Sequence, residues 1–113
     1  LGQPNVPSVI PVAGTSASCP AVASFFLYLN AYAITNYGAP LGFLNPMLYA
    51  AAAASPDAFT DITIGNNNAT EQATCQIGYK ATPGFDSATG NGLPLYTGLK
   101  AYLDNQLGGR KSN

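Results

Sequence analysis

The stretch Gly14-Thr15-Ser16-Ala17-Ser18-Cys19-Pro20, followed by Ala21-Val22-Ala23-Ser24-Phe25-Phe26-Leu27, decides how the rest of the chain is read. Gly14 lets the backbone turn sharply, and a long apolar segment follows at once. Ser16 is thereby placed at a helix N-terminus, where free backbone N–H groups and the helix dipole favour negative charge. A nucleophilic serine needs that setting, because a neighbouring N–H then helps hold an oxyanion. Pro20 is expected in the first helical turn, where its missing N–H costs nothing. A plainer alternative makes Thr15 or Ser16 an N-cap and nothing more.

Working outward, the helix is expected from Ser16 to about Tyr37, with Gly38 as its left-handed stop and Pro40 beyond it. Its apolar residues run all the way round, which predicts burial on several sides. The apolar part, 21–34, is shorter than a membrane span of about 20 residues, contains Ser24, Asn30 and tyrosines, and has no flanking Lys or Arg. It lacks the basic region of a signal peptide. Upstream, Pro4, Pro7 and Pro11 rule out a regular central strand over 1–13. Downstream, Asn45 is expected to cap a second helix with Pro46 at its first position, running through the alanines 50–54. Residues 59–64 look extended, Gly65-Asn66-Asn67-Asn68 is turn chemistry, 71–79 is ambiguous and 82–94 is loop. Leu95, Leu99, Tyr102, Leu103 and Leu107 mark a last amphipathic helix.

Composition narrows the class. The chain has 113 residues, of which 8% are charged, and its net charge is −1. A typical soluble protein is about one-quarter charged. No Asp, Glu, Lys or Arg occurs in residues 1–56. A free-standing surface needs charge, so this half is expected to lie inside a larger protein. The charge balance gives no electrostatic footprint for nucleic acid or an anionic membrane, and neither is expected as a partner. Cys19 and Cys75 are open to pairing with each other, with another chain, or to remaining as thiols. One such pair suits an oxidising compartment, and the sequon Asn68-Ala69-Thr70 points the same way.

The chemistry is limited by what is missing. There is no histidine, so this chain cannot assemble a Ser-His-Asp triad. A serine nucleophile then needs a carboxylate base, suited to acid pH by a reference pKa near 4. The carboxylates are Asp57, Asp61, Glu71, Asp86 and Asp104. None is spaced to form a helical relay with another, so the base for Ser16 is expected on other sequence. Asp61 and Asp86 each sit beside loop backbone. Two carboxylates with backbone carbonyls make a hard-oxygen set of the kind calcium prefers, although both also read as ordinary turn aspartates.

Four motifs in order carry a family resemblance. They are Gly14-Thr15-Ser16-Ala17-Ser18 with Pro20; Leu41-Gly42-Phe43-Leu44-Asn45-Pro46; Asp61-Ile62-Thr63 with Gly65-Asn66-Asn67; and Pro83-Gly84-Phe85-Asp86 with Thr89-Gly90 and Gly92. Together they resemble the C-terminal part of the sedolisins, the serine-carboxyl peptidases. The first motif is shared with subtilisins; the other three are not. The resemblance implies an α/β, subtilisin-like fold with a mostly parallel sheet flanked by helices. Residues 1–113 would then be the C-terminal portion of a single catalytic domain. It implies Ser16 as the nucleophile that forms an acyl-enzyme. It also implies a Ca2+ site made of the side chains of Asp61 and Asp86 and the carbonyls of Ile62, Thr82 and Gly84. The catalytic Glu and Asp would come from elsewhere, such as the heavy chain of a two-chain member, with a peptide or protein as substrate. A secreted or acidic vacuolar or lysosomal setting follows. The sequence departs from the family at Thr82, where glycine is usual, and at Phe85, Ala13 and Cys19. A positive φ at Thr82 would be strained. The rival readings are a catalytically inert, calcium-stabilised fragment and a piece of a subtilisin-like peptidase.

Overall fold

The computed structural model describes residues 14–68 and 77–108. In chain order these form helix α1 (Thr15–Tyr37), helix α2 (Asn45–Ala54), a 3-10 turn (Pro56–Ala58), strand β1 (Phe59–Thr60), strand β2 (Leu93–Pro94) and helix α3 (Tyr96–Leu107). The prolines at 4, 7 and 11 and most of the ambiguous 71–79 stretch lie outside the described residues.

Helix α1 begins at Thr15, one residue earlier than the sequence suggests, with Gly14 in extended backbone as its N-cap. It ends where expected: Gly38 has φ 75° and returns its N–H to the Ile34 carbonyl at 3.0 Å. Because the helix starts at Thr15, Pro20 is its sixth residue rather than part of the first turn. Its missing N–H is therefore the one that would have bonded the Ser16 carbonyl. The helix has 23 residues and is long and apolar enough to cross a membrane, a test that core helices of soluble proteins also meet. The expectation that it falls short rests on the apolar part alone and is corrected on length.

Helix α2 keeps its expected span, but Asn45 does not cap it. Leu44 already has helical backbone (φ −78°, ψ −29°) and no side chain makes a cap bond. Asn45 and Pro46 therefore fill the first turn, where Pro lacks only an N–H that would be unpaired anyway. Helix α3 starts after Leu95, which is extended at φ −107° and ψ 122°. Leu99 and Leu103, four apart, are its buried stripe, with Gly98 buried beside them.

These elements meet in one small core of Leu29, Ala51, Ala58, Leu99 and Leu103, against which Phe25, Met47 and Tyr96 pack. Complete burial of Leu29 and Leu99 contributes about 1.5–3 kcal/mol each. The close approach is made possible by Gly98, where a Cβ would run into the Asp57 carbonyl and the Ala58 amide nitrogen. Among the described residues α1 buries only Leu29 and Ala33. Leu27 is 69% and Tyr28 76% exposed. Burial on several sides is therefore not achieved by the described residues; one stripe is covered and the other faces are open.

The sheet is small. Phe59 pairs with Pro94 and Thr60 with Leu93, antiparallel, and the Leu95 N–H extends the pairing to the Ala58 carbonyl at 2.9 Å. The described residues are thus mixed helix and strand, and contain no parallel strand pair.

Candidate functional site

Ser16 occupies the second position of α1 and is exposed. Neither it nor Thr15 serves as the N-cap: that position belongs to Gly14, and no side chain caps the helix. The Ala17 N–H closes onto the Gly14 carbonyl at 3.2 Å. The N–H groups of Thr15 and Ser16 precede the first intrahelical bond and point out of the positive end of the helix dipole. A hydroxyl with no bonding partner among the described residues thus stands beside donors suited to a developing negative charge. Among the described residues nothing within hydrogen-bond reach acts as its base. Cys19 is exposed on the next turn; Cys75, and any pairing between the two, lies outside the described residues.

The two loop aspartates come together by different routes. Asp61 is exposed and its Oδ2 accepts the Gly84 N–H at 2.7 Å, joining segments 23 residues apart. Asp61, Gly84 and Phe85 line a pocket of about 190 Å³ with Phe59 and Asn91. Asp86 is buried and folds its own loop. Its Oδ2 accepts the Thr82 N–H at 3.0 Å, while its Oδ1 accepts those of Ala88 and Thr89, both at 2.8 Å. The Thr89 hydroxyl reaches both oxygens at 3.1 Å. The Thr82 N–H, then that of Thr89, hold the Asp86 carboxyl below the usual carboxylate range against the opposing effect of burial. Gly84 has φ 82°, and every positive φ among the described residues belongs to a glycine. Thr82 therefore carries no left-handed strain, and a carbonyl there needs no glycine.

These donors fit a hard cation in kind. Ile62, Thr82 and Gly84 are exposed, and their carbonyls accept none of the loop backbone bonds. Asp61 keeps Oδ1 unbonded among the described residues, whereas Asp86 is already engaged by N–H groups. Among the described residues there is no cluster of three or more His, Cys, Asp or Glu side chains, so backbone carbonyls would have to supply much of any coordination.

Sequence reasoning missed a second carboxylate centre. Asp104 Oδ1 accepts the Tyr32 hydroxyl at 2.6 Å and also the Tyr37 hydroxyl, while Oδ2 pairs with Lys100 at 2.8 Å. Lys100, then Tyr32 and Tyr37, lower its pKa to about 2. Hydrogen bonding to Asp104 in turn raises the pKa values of Tyr37 and Lys100 above their ordinary ranges. The i, i+4 spacing of Lys100 and Asp104 was the available signal; nothing local foretold the tyrosines from α1.

The sequence comparisons bear on the whole of this arrangement. The chain belongs to the sedolisin family. It is 44% identical over 92 residues to physarolisin of Physarum polycephalum, covering 81% of this chain and 16% of that protein. It is 37% identical over 94 residues to tripeptidyl-peptidase 1 of Dictyostelium discoideum (83% and 15%). With kumamolisin of a Bacillus species it shares 39% identity over 84 residues (74% and 13%). The chain thus spans about one-sixth or less of the length of these relatives. No family model and no solved structure matches it.

Proposed function

We propose that this chain is the C-terminal portion of the catalytic domain of an acid-acting serine-carboxyl peptidase, and that Ser16 is its nucleophile. One observation carries the reading: an exposed serine at the second position of α1 that caps nothing. Ser16 Oγ attacks the scissile carbonyl and gives its proton to a Glu carried by a heavy chain, or by the rest of the same domain. The Ser16 N–H and a protonated Asp from that same part hold the oxyanion. The amine leaves, and water hydrolyses the acyl-enzyme. The open faces of α1 support a covering partner, since apolar patches of this kind are seldom left in water. A two-chain, physarolisin-like enzyme is the arrangement we favour, and an acidic vacuolar or secreted setting suits a carboxylate base.

The side chains of Asp61 and Asp86 and the carbonyls of Ile62, Thr82 and Gly84 would hold a calcium ion, which when bound ties the two loops together. In this chain the Asp61–Gly84 bond already brings those loops into register. Ser16→Ala in the assembled peptidase tests the proposal. Cleavage of a peptide substrate at acid pH is expected to vanish while the thermal transition stays in place. Undiminished cleavage would overturn it.

A further inference from the structure

We propose that Asp104, with Tyr32, Tyr37 and Lys100, forms an acid-resistant latch that fastens the C-terminal helix α3 to the second half of α1. This does not depend on the role of Ser16. Three donors from two helices converge on one carboxylate: two phenols from α1 on Oδ1 and the α3 ammonium on Oδ2. Tyr32 and Tyr37 are five residues apart and so point from different sides of α1. Only side chains as long as tyrosine let both reach the same oxygen. Their rings meet edge to face at 6.0 Å, and the Lys100 ammonium lies 4.6 Å from the Tyr32 ring centre, within cation–π range. All four side chains are partly buried, and the cluster lies beside the Leu29–Leu99–Leu103 core.

Among the described residues the groups facing the carboxylate are Tyr32 and Tyr37 from α1 and Lys100 from α3 itself. Bonding to Asp104 raises the pKa values of the Tyr37 phenol and the Lys100 ammonium, so both keep their protons below neutrality. Asp104 is the one group that changes charge in the acid range. A carboxylate with a lowered folded pKa contributes above its ordinary value near 3.9 and loses that contribution as pH falls through the lowered value. With a folded pKa of about 2, the latch stays closed at pH 3, where ordinary surface carboxylate pairs have largely let go.

The test uses the intact protein as purified, with Asp104→Asn and the Tyr32→Phe/Tyr37→Phe double variant. The double variant keeps both rings and their packing, so it decides the matter even if Asp104→Asn does not fold. Amide hydrogen exchange in α3 is read at pH 3 and pH 6, corrected for intrinsic rates. The wild type is expected to lose just under about tenfold in α3 protection from pH 6 to pH 3, because about half of the carboxylate's contribution goes between its ordinary value near 3.9 and pH 3. Each variant is expected to lose protection in α3 about tenfold or more, with α2 unchanged. Carboxyl NMR should place the Asp104 midpoint near 2. Unchanged α3 protection in the double variant, or a midpoint near 4, would overturn the proposal.

Discussion

Replacing Gly98 by alanine tests the packing on which the small core depends. Gly98 is buried in α3 against the 3-10 turn, with the Asp57 carbonyl where a Cβ would go. Ordinary van der Waals contact begins at 3.4 Å, so helix and turn would have to part by about an ångström or more. Backbone cannot swing aside as a side chain can. The separation would lift Leu99 and Leu103 from Ala58, their partner in the core. Overpacking of this sort costs about 1–3 kcal/mol, occasionally more. The gain in helix propensity, about 1 kcal/mol, offsets only part of it. Gly108 is the natural control: its φ is −61° and nothing lies within 4 Å of an added Cβ. Gly108→Ala is expected to stabilise by about 0.4–1 kcal/mol through the unfolded chain alone. The two variants should therefore differ by about 2 kcal/mol in opposite directions from wild type, or roughly 4–8 °C in Tm for a domain of 150–250 residues. Circular dichroism melts of the intact protein, with urea titrations to check the m-value, give the answer. Equal shifts of the same sign in both variants would refute the seating of α3 on the 56–58 turn.

Two further outcomes are expected. Chelation of calcium should lower Tm, by an amount that grows with the prior excess of free ion over Kd; a melt indifferent to chelator would count against the loop site. Asp86→Asn places an NH₂ donor against at least one of the N–H groups of Thr82, Ala88 and Thr89 that the carboxylate accepts. Because the folded pKa of Asp86 is lowered, its contribution is present above about 3.9 and fades as pH falls below that value. Wild type and variant should thus differ most at pH 5–7 and converge as the carboxylate becomes protonated in acid. A Tm gap independent of pH would contradict that reasoning.

Local signals were the legible ones. Gly14 and Gly38 bracket α1 within one residue, and the leucine spacing from 95 to 107 marks α3, because caps and periodicity act within a few residues. The family, too, was legible from four short motifs. The Asn45 cap failed because Leu44 is already helical, a backbone choice that side-chain type does not reveal. Apolarity all round α1 signalled burial, but the described residues cover one stripe of it. The mostly parallel sheet is not seen among the described residues, whose strands form one short antiparallel pair. At the candidate site, the sequence placed Asp61 and Asp86 in loops but not their division of labour. That division depends on which N–H groups the folded turns turn inward. The Asp104 centre needed contacts 67 and 72 residues apart, beyond any local pattern.

The self-contained loop around Asp86 has a consequence for how the two candidate metal segments assemble. Among the described residues, every hydrogen bond that Asp86 accepts comes from within four residues of it, so the 82–90 turn carries little chain-closure entropy. Closing so short a loop takes no longer than tens of nanoseconds. The Asp61–Gly84 bond must instead join residues 23 apart in the chain. One half of the pair is therefore pre-organised, and the other must be captured. An ion bridging them would do its work on the capture, acting as a clasp on the long loop while leaving the short one much as it already is.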